Sequence, residues 1–340
     1  MRVYRILLAA ALLAPTIARA QASQAGRKTD PTMDMKGWTV PWEKSRPRDP
    51  FVDPGGKVWF VGQVGDYVAN FDPASGKFKQ YTIEAGTHPH NLVVDAKGMV
   101  WFTGNTNGRI VKMDPATGKL TNFMMPDPAV KDPHTMTFDK NGDAWFTAQG
   151  AGVLGKLTQS TGQIRLWKLA SGSRPYGIVL DSKGRPWFDE FGTNKIGTVD
   201  PKTLELREIT LPNEKTRPRR IAVTSDDIIW YGDYTRGMLG RLDPATGKIE
   251  EFALPEGLAS LPYAMASDDR DRIWIAETGV QPNRLVVFDP KSRAFVQNVV
   301  VDGEPNTIRH MVFDKKSREI WWGSDVNVLG RVKVPAEIVP

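Results

Sequence analysis

Hydrophobic positions in this chain form short runs that recur with a regular period. Between Thr87 and Lys119, three apolar runs are separated by turns that contain Gly, Asn or Asp-Pro. Such runs, bounded by turn residues, predict short β-strands. The pattern recurs around seven tryptophans spaced 42, 44, 42, 43, 44 and 47 residues apart: Trp59, Trp101, Trp145, Trp187, Trp230, Trp274 and Trp321. A period of about 40 to 45 residues with four strands per repeat is typical of a propeller blade, so we predict an all-β, seven-bladed β-propeller.

The two ends of the repeat array complement each other. Residues 37–48 closely parallel residues 208–219, which in the repeat form the last strand of a blade and the start of the next. After Trp321 the chain has only one more apolar run, from Val328 to Val334. We therefore expect residues near Trp38 to Val40 to supply the missing outer strand of the last blade and close the ring. The propeller domain is expected to span residues 37–340.

The N-terminal residues have the pattern of an export signal. Residues 1–20 combine a basic start, an apolar run from Ile6 to Leu13 and an Ala18-Arg19-Ala20 end suited to cleavage after Ala20. The apolar run is far shorter than the roughly 20 residues that span a bilayer. We expect a periplasmic or secreted protein with no membrane span, in which residues 21–36 form a flexible lead.

Composition narrows the possible functions. The chain has no cysteine, which excludes disulfides, thiol nucleophiles and thiolate metal sites. Its formal net charge is +6, but no dense run of Lys or Arg marks a nucleic-acid surface. We expect a monomer that binds a small molecule.

One polar residue opens the inner strand of each blade. The repeats are aligned on the residue five positions after it, which is Asp in six blades and Thr224 in the other. This alignment gives a set that we call the mouth ring: Arg48, His90, His134, Tyr176, Arg219, Tyr263 and Arg309. Convergent polar groups in a concave site indicate a binding pocket. Three arginines, two histidines and two tyrosines favour an anionic or carbonyl-bearing ligand, with Arg48, Tyr176, Arg219, Tyr263 and Arg309 as binding residues.

A second set of positions carries acids. The third residue after the tryptophan is acidic in three consecutive blades, as Glu190, Asp233 and Glu277. These carboxylates are expected either to pair with Arg219 or to hold a hard cation through oxygen ligands.

Several segments resemble a known family. They are Arg174-Pro175-Tyr176-Gly177-Ile178, Trp187-Phe188-Asp189-Glu190 and Asn194-Lys195-Ile196-Gly197. From Trp38 to Val334 the chain resembles the virginiamycin B lyase (streptogramin lyase) family of seven-bladed propellers. The resemblance implies opening of a cyclic depsipeptide by elimination, with a histidine base and a magnesium ion. The implied mechanism removes the proton α to an ester carbonyl, stabilises the enolate and expels an oxygen leaving group.

The chain departs from the family pattern at the expected catalytic positions. The family's working histidines open its last two blades, where this chain has Tyr263 and Arg309, with His310 one position late. Asp132-Pro133-His134 resembles the family's acid-Pro-His entry. Two alternatives follow: His90 and His134 line the pocket as hydrogen-bonding groups without catalysis, or the arrangement is rotated, with His134 as base and His90 as orienting group or acid. Asp132 would fix the imidazole, and Arg48, Arg219 or Arg309 would stabilise the enolate. Gln149 replaces an acid expected near the metal.

Two functions remain open from the sequence. One is a carbon–oxygen lyase acting on an ester or lactone in the channel pocket. The other is a non-catalytic propeller that binds an anionic small molecule or peptide terminus through the mouth ring.

Overall fold

The structure, a computed structural model, describes residues 33–301 and 306–338. Within these residues, 28 strands form seven antiparallel sheets of four strands, with one short 3₁₀ turn at Gly257–Ala259. The inner strands of neighbouring sheets contact one another in a closed cycle. The predicted seven-bladed β-propeller is confirmed.

The blades follow one another along the chain, and the strands of each blade are ordered from the channel outward. Blades 1 to 3 are β2 (Pro47–Val52), β3 (Val58–Gly62), β4 (Tyr67–Asp72), β5 (Lys77–Thr82); β6 (Pro89–Val94), β7 (Val100–Gly104), β8 (Arg109–Met113), β9 (Leu120–Met124); and β10 (Pro133–Phe138), β11 (Ala144–Ala148), β12 (Val153–Thr158), β13 (Gln163–Lys168). Blades 4 to 6 are β14 (Pro175–Leu180), β15 (Pro186–Glu190), β16 (Lys195–Val199), β17 (Leu206–Thr210); β18 (Pro218–Val223), β19 (Ile229–Asp233), β20 (Met238–Leu242), β21 (Ile249–Ala253); and β22 (Pro262–Ser267), β23 (Ile273–Glu277), β24 (Arg284–Asp289), β25 (Ala294–Val300). Blade 7 is β26 (Ile308–Asp314), β27 (Glu319–Ser324), β28 (Val328–Lys333) and β1 (Met35–Thr39).

The N-terminal strand closes the ring. Strand β1 pairs antiparallel with β28, so that Trp38 lies opposite Leu329. The Trp38 ring stacks on Trp321 of blade 7 at 5.4 Å and lies 4.8 Å from Phe71 of blade 1, so one side chain joins the first and last blades. Residues 1–32, which include the expected signal peptide and most of the expected lead, lie outside the described residues. Within the described part, no helix has the length and apolarity needed to cross a membrane.

A hydrogen bond from the repeat tryptophan fixes the far end of the inner strand. Trp187 Nε1 donates to Asp181 Oδ2 at 3.1 Å, while Asp181 Oδ1 accepts from the backbone N–H groups of Lys183 and Arg185. One carboxylate therefore shapes the turn and orients the buried indole. Six of the seven blades have this bond at 2.8 to 3.2 Å, and in blade 5 the acceptor is the hydroxyl of Thr224.

A β-bulge lies at the other end of the inner strand in every blade. In blade 3, for example, Pro133 lies opposite Ala148 and Met136 opposite Phe146, which leaves His134 and Thr135 against a single partner residue. The same register shift occurs in the other six blades. A bulge of this kind re-aims side chains and disrupts the ladder locally. In six blades the mouth-ring residue lies in the bulge, and in blade 1 Arg48 lies directly before it, opposite Val61. The bulges therefore explain why these side chains leave the sheet and reach the channel.

Glycines on the third strand make room for aromatic side chains in four blades. Gly197 lies opposite Phe188, and a Cβ built at Gly197 would lie 2.1 Å from the Phe188 ring. The same close approach occurs at Gly155, Gly240 and Gly330. The aromatic ring covers the glycine backbone and fills the space of the absent side chain.

Replacing Gly197 with Ala is therefore expected to destabilise the protein by about 1–3 kcal/mol, because the added methyl overpacks the Phe188 ring. Thermal unfolding of Gly197→Ala, Phe188→Leu and the double variant measures this. The penalty of Gly197→Ala is expected to shrink in the Phe188→Leu background, where the blocking ring atoms are absent. An equal penalty in both backgrounds would contradict the steric explanation.

Candidate functional site

The residues of the mouth ring lie side by side around the channel. Arg48 Nη2 lies 2.8 Å from His90 Nε2, and the His90 and His134 ring centroids are 3.7 Å apart. The His134 ring lies 4.1 Å from that of Tyr176. Across the channel, the hydroxyls of Tyr176 and Tyr263 form a hydrogen bond. Five residues from separate blades thus form one continuous polar cluster.

Arg219 forms part of the outer layer of this cluster. Its guanidinium carbon lies 3.9 Å from the ring centroid of Tyr263, 4.4 Å from that of Tyr234 and 4.5 Å from that of Phe191. The aromatic faces stabilise the cation. Among the described residues, Arg219 forms no ion pair with an acid, so its positive charge is available to an anionic ligand.

Tyr263 lies among several arginines. Arg309 Nη1 donates to its hydroxyl at 3.3 Å, and Arg309 is itself held by Asp325 through an Nε–Oδ1 hydrogen bond of 2.9 Å. Burial alone would raise the pKa of Tyr263, but the guanidinium groups of Arg48, Arg219, Arg220 and Arg309 outweigh it and lower this pKa to about 7. For Tyr176, burial and the charge on Tyr263 raise the pKa instead. Of the two hydroxyls, that of Tyr263 therefore loses its proton first.

The hydrogen bonds of the two histidines define what each can do. Because a guanidinium only donates, His90 Nε2 must accept from Arg48. His134 Nδ1 lies 2.9 Å from Thr135 Oγ1, which also accepts from Arg220 Nη1 at 3.1 Å. The Thr135 hydrogen is thus free to be donated to His134 Nδ1, which leaves the ring proton on His134 Nε2. Burial is the main cause that lowers the pKa of both histidines well below the ordinary value, so both are neutral near pH 7.

A second polar layer lies one residue deeper in each inner strand. We call it the inner layer, and it comprises Asp49, Asn91, Thr135, Gly177, Arg220, Ala264 and His310. Arg220, 3% exposed, donates through Nε to the Arg309 carbonyl at 3.1 Å, and its Nη2 lies 3.5 Å from Asp49 Oδ2. Asn91 Nδ2 donates to the same Asp49 oxygen at 2.9 Å. Arg220 therefore joins blade 5 to blades 1, 3 and 7 across the channel.

Sequence reasoning missed the inner layer. Its signal was present, because the column that follows the mouth ring in the alignment is polar in five of seven blades. Burial would raise the pKa of Asp49, but His310, Arg220 and Arg48 outweigh it and hold the pKa below its ordinary value. The Asp49 carboxylate therefore remains charged and compensates the arginines above and beside it.

Each bulge exposes a backbone N–H group that needs an acceptor, and in blades 3 and 4 a side chain of the second strand provides one. The bulge leaves the N–H of Thr135 outside the ladder, and Thr147 Oγ1 of β11 accepts it at 3.3 Å while donating to the Tyr176 carbonyl of the next blade at 2.8 Å. In blade 4 the same position is Asp189, whose two oxygens accept from Gly177 N–H at 3.2 Å. Burial raises the pKa of Asp189 well above its ordinary value.

Asp132 does not hold the His134 imidazole as expected. Its carboxylate accepts the backbone N–H groups of Gly150 and Ala151, the latter at 3.1 Å. The residue that orients His134 is its neighbour Thr135. An acid that precedes a Pro-His pair therefore stabilises a loop in this chain.

The structure does not bring together Glu190, Asp233 and Glu277 as a cation site. Glu190 Oε2 accepts from Thr193 at 2.9 Å, Asp233 pairs with Arg236 at 3.2 Å and Glu277 Oε1 accepts from Ser260 at 2.7 Å. None of the three pairs with Arg219 in the described structure. Burial is the main cause that raises the pKa of Glu190 and of Glu277, which favours their neutral forms.

No other set of residues provides such a centre in the part of the chain that is described. There, no group of three or more His, Asp or Glu side chains could hold a metal ion. Magnesium prefers charged oxygen ligands in octahedral geometry, and the donor set near the mouth ring does not fit it.

Comparison with known proteins defines the family. The family model described as the virginiamycin B lyase family matches residues 33–332. The chain belongs to the virginiamycin B lyase family. No curated protein sequence matches it at a significant level.

Solved structures of the family share the fold. A streptogramin B lyase structure is 26% identical, with a TM-score of 0.80 over 89% of this chain and 98% of that chain. Selenomethionine-substituted virginiamycin B lyase from Staphylococcus aureus is 23% identical, with a TM-score of 0.81 over 89% of this chain and all of the other. A catalytically inactive histidine-to-alanine variant of the Staphylococcus aureus enzyme with quinupristin is 24% identical, also with a TM-score of 0.81, over 89% and 100%.

The buried histidines make stability sensitive to acid. The pKa of His310 is lowered from 6.5 to about 4, mainly by burial, and those of His90 and His134 are lowered too. Below pH 6.5 the unfolded chain therefore binds protons that the folded chain does not. We expect the free energy of unfolding to be highest above pH 6.5 and to fall by up to about 1.4 kcal/mol per pH unit for each histidine as the pH drops.

Urea unfolding at a series of pH values, with His310→Gln as the comparison, measures this effect. The difference between the two proteins isolates the contribution of His310 from that of the carboxylates. The variant is expected to lose stability less steeply between pH 6.5 and 4. Parallel pH profiles would show that His310 gains a proton as easily in the folded state as in the unfolded one.

Proposed function

We propose that this family member is a carbon–oxygen lyase that acts on an ester- or lactone-bearing small molecule at the mouth ring. The observation that carries the proposal is the arginine-surrounded tyrosine pair, in which Tyr263 contacts Arg309 and lies beneath Arg219. This cluster combines a group that loses its proton near neutral pH with fixed cations. Both are needed to remove a proton next to a carbonyl and to stabilise the resulting enolate.

In the proposed reaction, the ionised Tyr263 oxygen removes the hydrogen from a carbon that is α to a carbonyl group and whose neighbouring β carbon carries the ester oxygen. The electron pair of that C–H bond moves toward the carbonyl oxygen, where Arg219 and Arg309 stabilise the negative charge. Collapse of the enolate forms a carbon–carbon double bond and breaks the C–O bond at the β carbon. The leaving group departs as a carboxylate, and Tyr263 holds the proton until solvent removes it.

This assignment changes the roles expected from the sequence. His90 uses its Nε2 lone pair on Arg48, and the low pKa of His134 makes it a weak base. We assign His134 Nε2–H as a hydrogen-bond donor to the substrate and His90 as a structural partner of Arg48. No step is routed through magnesium, because the acids near the ring do not form a site for it.

A binding function without turnover is the second candidate. The low pKa of both histidines makes them weak bases, which favours binding over catalysis. The three arginines of the ring suit a carboxylate ligand. In that case the arginines hold the ligand and Tyr263 only shapes the pocket. We also propose, from residues 1–20, that the protein acts outside the cytoplasm.

Product analysis in water enriched in the heavy oxygen isotope distinguishes elimination from the alternatives. With cyclic depsipeptides and β-acyloxy esters as substrates, we expect an α,β-unsaturated product and a carboxylate, neither carrying the isotope. Isotope in the carboxylate would indicate hydrolysis. Binding of the same compounds without any product, in the presence or absence of added magnesium, would favour the second candidate.

The pH dependence tests the role of Tyr263. Because the pKa of Tyr263 is lowered to about 7, kcat/KM is expected to rise as the pH increases through 7 and to level off above it. Tyr263→Phe is expected to lose about 10²–10⁴-fold in kcat/KM together with the tyrosinate absorbance that titrates in this range. Tyr234→Phe is a matched control, because Tyr234 also packs on Arg219. If Tyr263→Phe kept the wild-type rate and pH profile, the base would have to be another group.

A further inference from the structure

The inner layer divides the central channel into two parts. A cavity of about 240 Å³ is lined by all seven inner strands, from the inner layer toward their C-terminal ends. None of the mouth-ring residues is among those that line it. We call this cavity the lower chamber, and it lies on the opposite side of Arg220 from the mouth ring.

The closed end of the lower chamber carries unpaired polar atoms. Arg220 and His310 line the chamber, and Arg220 Nη2 and His310 Nδ1 are buried without a hydrogen-bond partner. The other two nitrogens of the Arg220 guanidinium are bonded to the Arg309 carbonyl and to Thr135. A buried donor without a hydrogen bond is costly. Arg220 Nη2 has only the Asp49 carboxylate nearby, 3.5 Å away, so it can still donate a hydrogen bond to a ligand oxygen.

The charge of this end is positive. Arg48 and Arg220 both lie near Asp49, at 3.6 Å and 3.5 Å, so one carboxylate faces two guanidinium groups. Burial raises the pKa of Asp189, which is also near Arg220, well above its ordinary value and so disfavours its charged form. An anionic oxygen would balance the remaining charge.

The walls are mostly apolar and adaptable. The residues that line them include Leu92, Ile178, Met136, Met265 and Met311, whose side chains also belong to the hydrophobic clusters of the blades. Methionine is unbranched and flexible, and it fits side chains around ligands of varied shape. The volume is below the range of about 300–1,000 Å³ typical of sites for drug-sized ligands, so a smaller molecule is the suitable occupant.

We propose that the lower chamber is a second binding site, separate from the mouth ring, for a small carboxylate with a short hydrocarbon chain. The carboxylate accepts hydrogen bonds from Arg220 Nη2 and His310, and the chain packs against the methionines and Leu92. The site requires no turnover at the mouth ring.

Methionine-methyl NMR on the full-length protein tests the proposal without any substitution. Hexanoate is expected to shift the methyl resonances of Met136, Met265 and Met311 in a saturable manner, and to leave that of Met124, which is 60% exposed, unchanged. Hexanol, of the same chain length, is expected to bind at least about tenfold more weakly because it lacks the charge. Equal binding of both would indicate an apolar cavity without carboxylate recognition, and no shift would indicate water only.

Two variants locate the site. Ala266→Phe adds a ring to the chamber wall and is expected to abolish the hexanoate-induced shifts, whereas Tyr234→Phe, near the mouth ring, leaves them intact. Arg220→Gln is expected to weaken hexanoate at least about tenfold while changing hexanol little. Thermal unfolding of each variant confirms that it folds. Loss of hexanoate binding in Tyr234→Phe with retention in Ala266→Phe would place the ligand at the mouth ring and overturn the proposal.

Discussion

In six of the seven blades, a hydrogen bond between the repeat tryptophan and the end of the inner strand sets the geometry on which the channel depends. In six blades the indole N–H finds a carboxylate or hydroxyl at 2.8 to 3.2 Å, and that acceptor lies five residues after the mouth-ring position. The bulge is therefore held at a constant distance from a fixed, buried anchor. Because all inner strands share this spacing, seven different side chains reach the same height in the channel.

Bulges supply functional positions at the cost of unpaired backbone groups. A buried N–H group left without an acceptor would lower the stability of the protein by about 1–3 kcal/mol. In blades 2 to 4 a side chain of the second strand accepts it, as Thr147 does for Thr135. The two threonines of this kind also donate to the next blade, at His134 and Tyr176. The repair of the bulge is thus also a contact between blades, and it helps to hold the mouth ring in place.

The sequence predicted the fold and the mouth ring because both follow from local patterns. Strand periods, turn residues and the Trp spacing are each visible within one repeat, and ring closure follows from counting strands. The hydrogen-bond partners were not predictable in the same way. Arg220 bonds to Thr135 and Arg309, 85 and 89 residues away, and Tyr176 meets Tyr263 across 87 residues. The roles expected for Asp132 and Glu190 were wrong for the same reason. Each carboxylate accepts hydrogen bonds from a nearby loop instead of contacting residues of the channel.

The last two blades show how a departure from the family pattern can be internally consistent. Where relatives are expected to have histidines, this chain has Tyr263 and Arg309, which contact each other at 3.3 Å, and Asp325 fixes the arginine. A tyrosine alone ionises near pH 10 and is no substitute for a histidine. With four guanidinium groups nearby its pKa falls to about 7, close to the ordinary value of an imidazole. An arginine beside a tyrosine therefore restores titration near neutral pH at this end of the channel. On the proposed mechanism it also supplies a fixed cation beside the forming enolate, and the arginine keeps its charge there without depending on a metal ion.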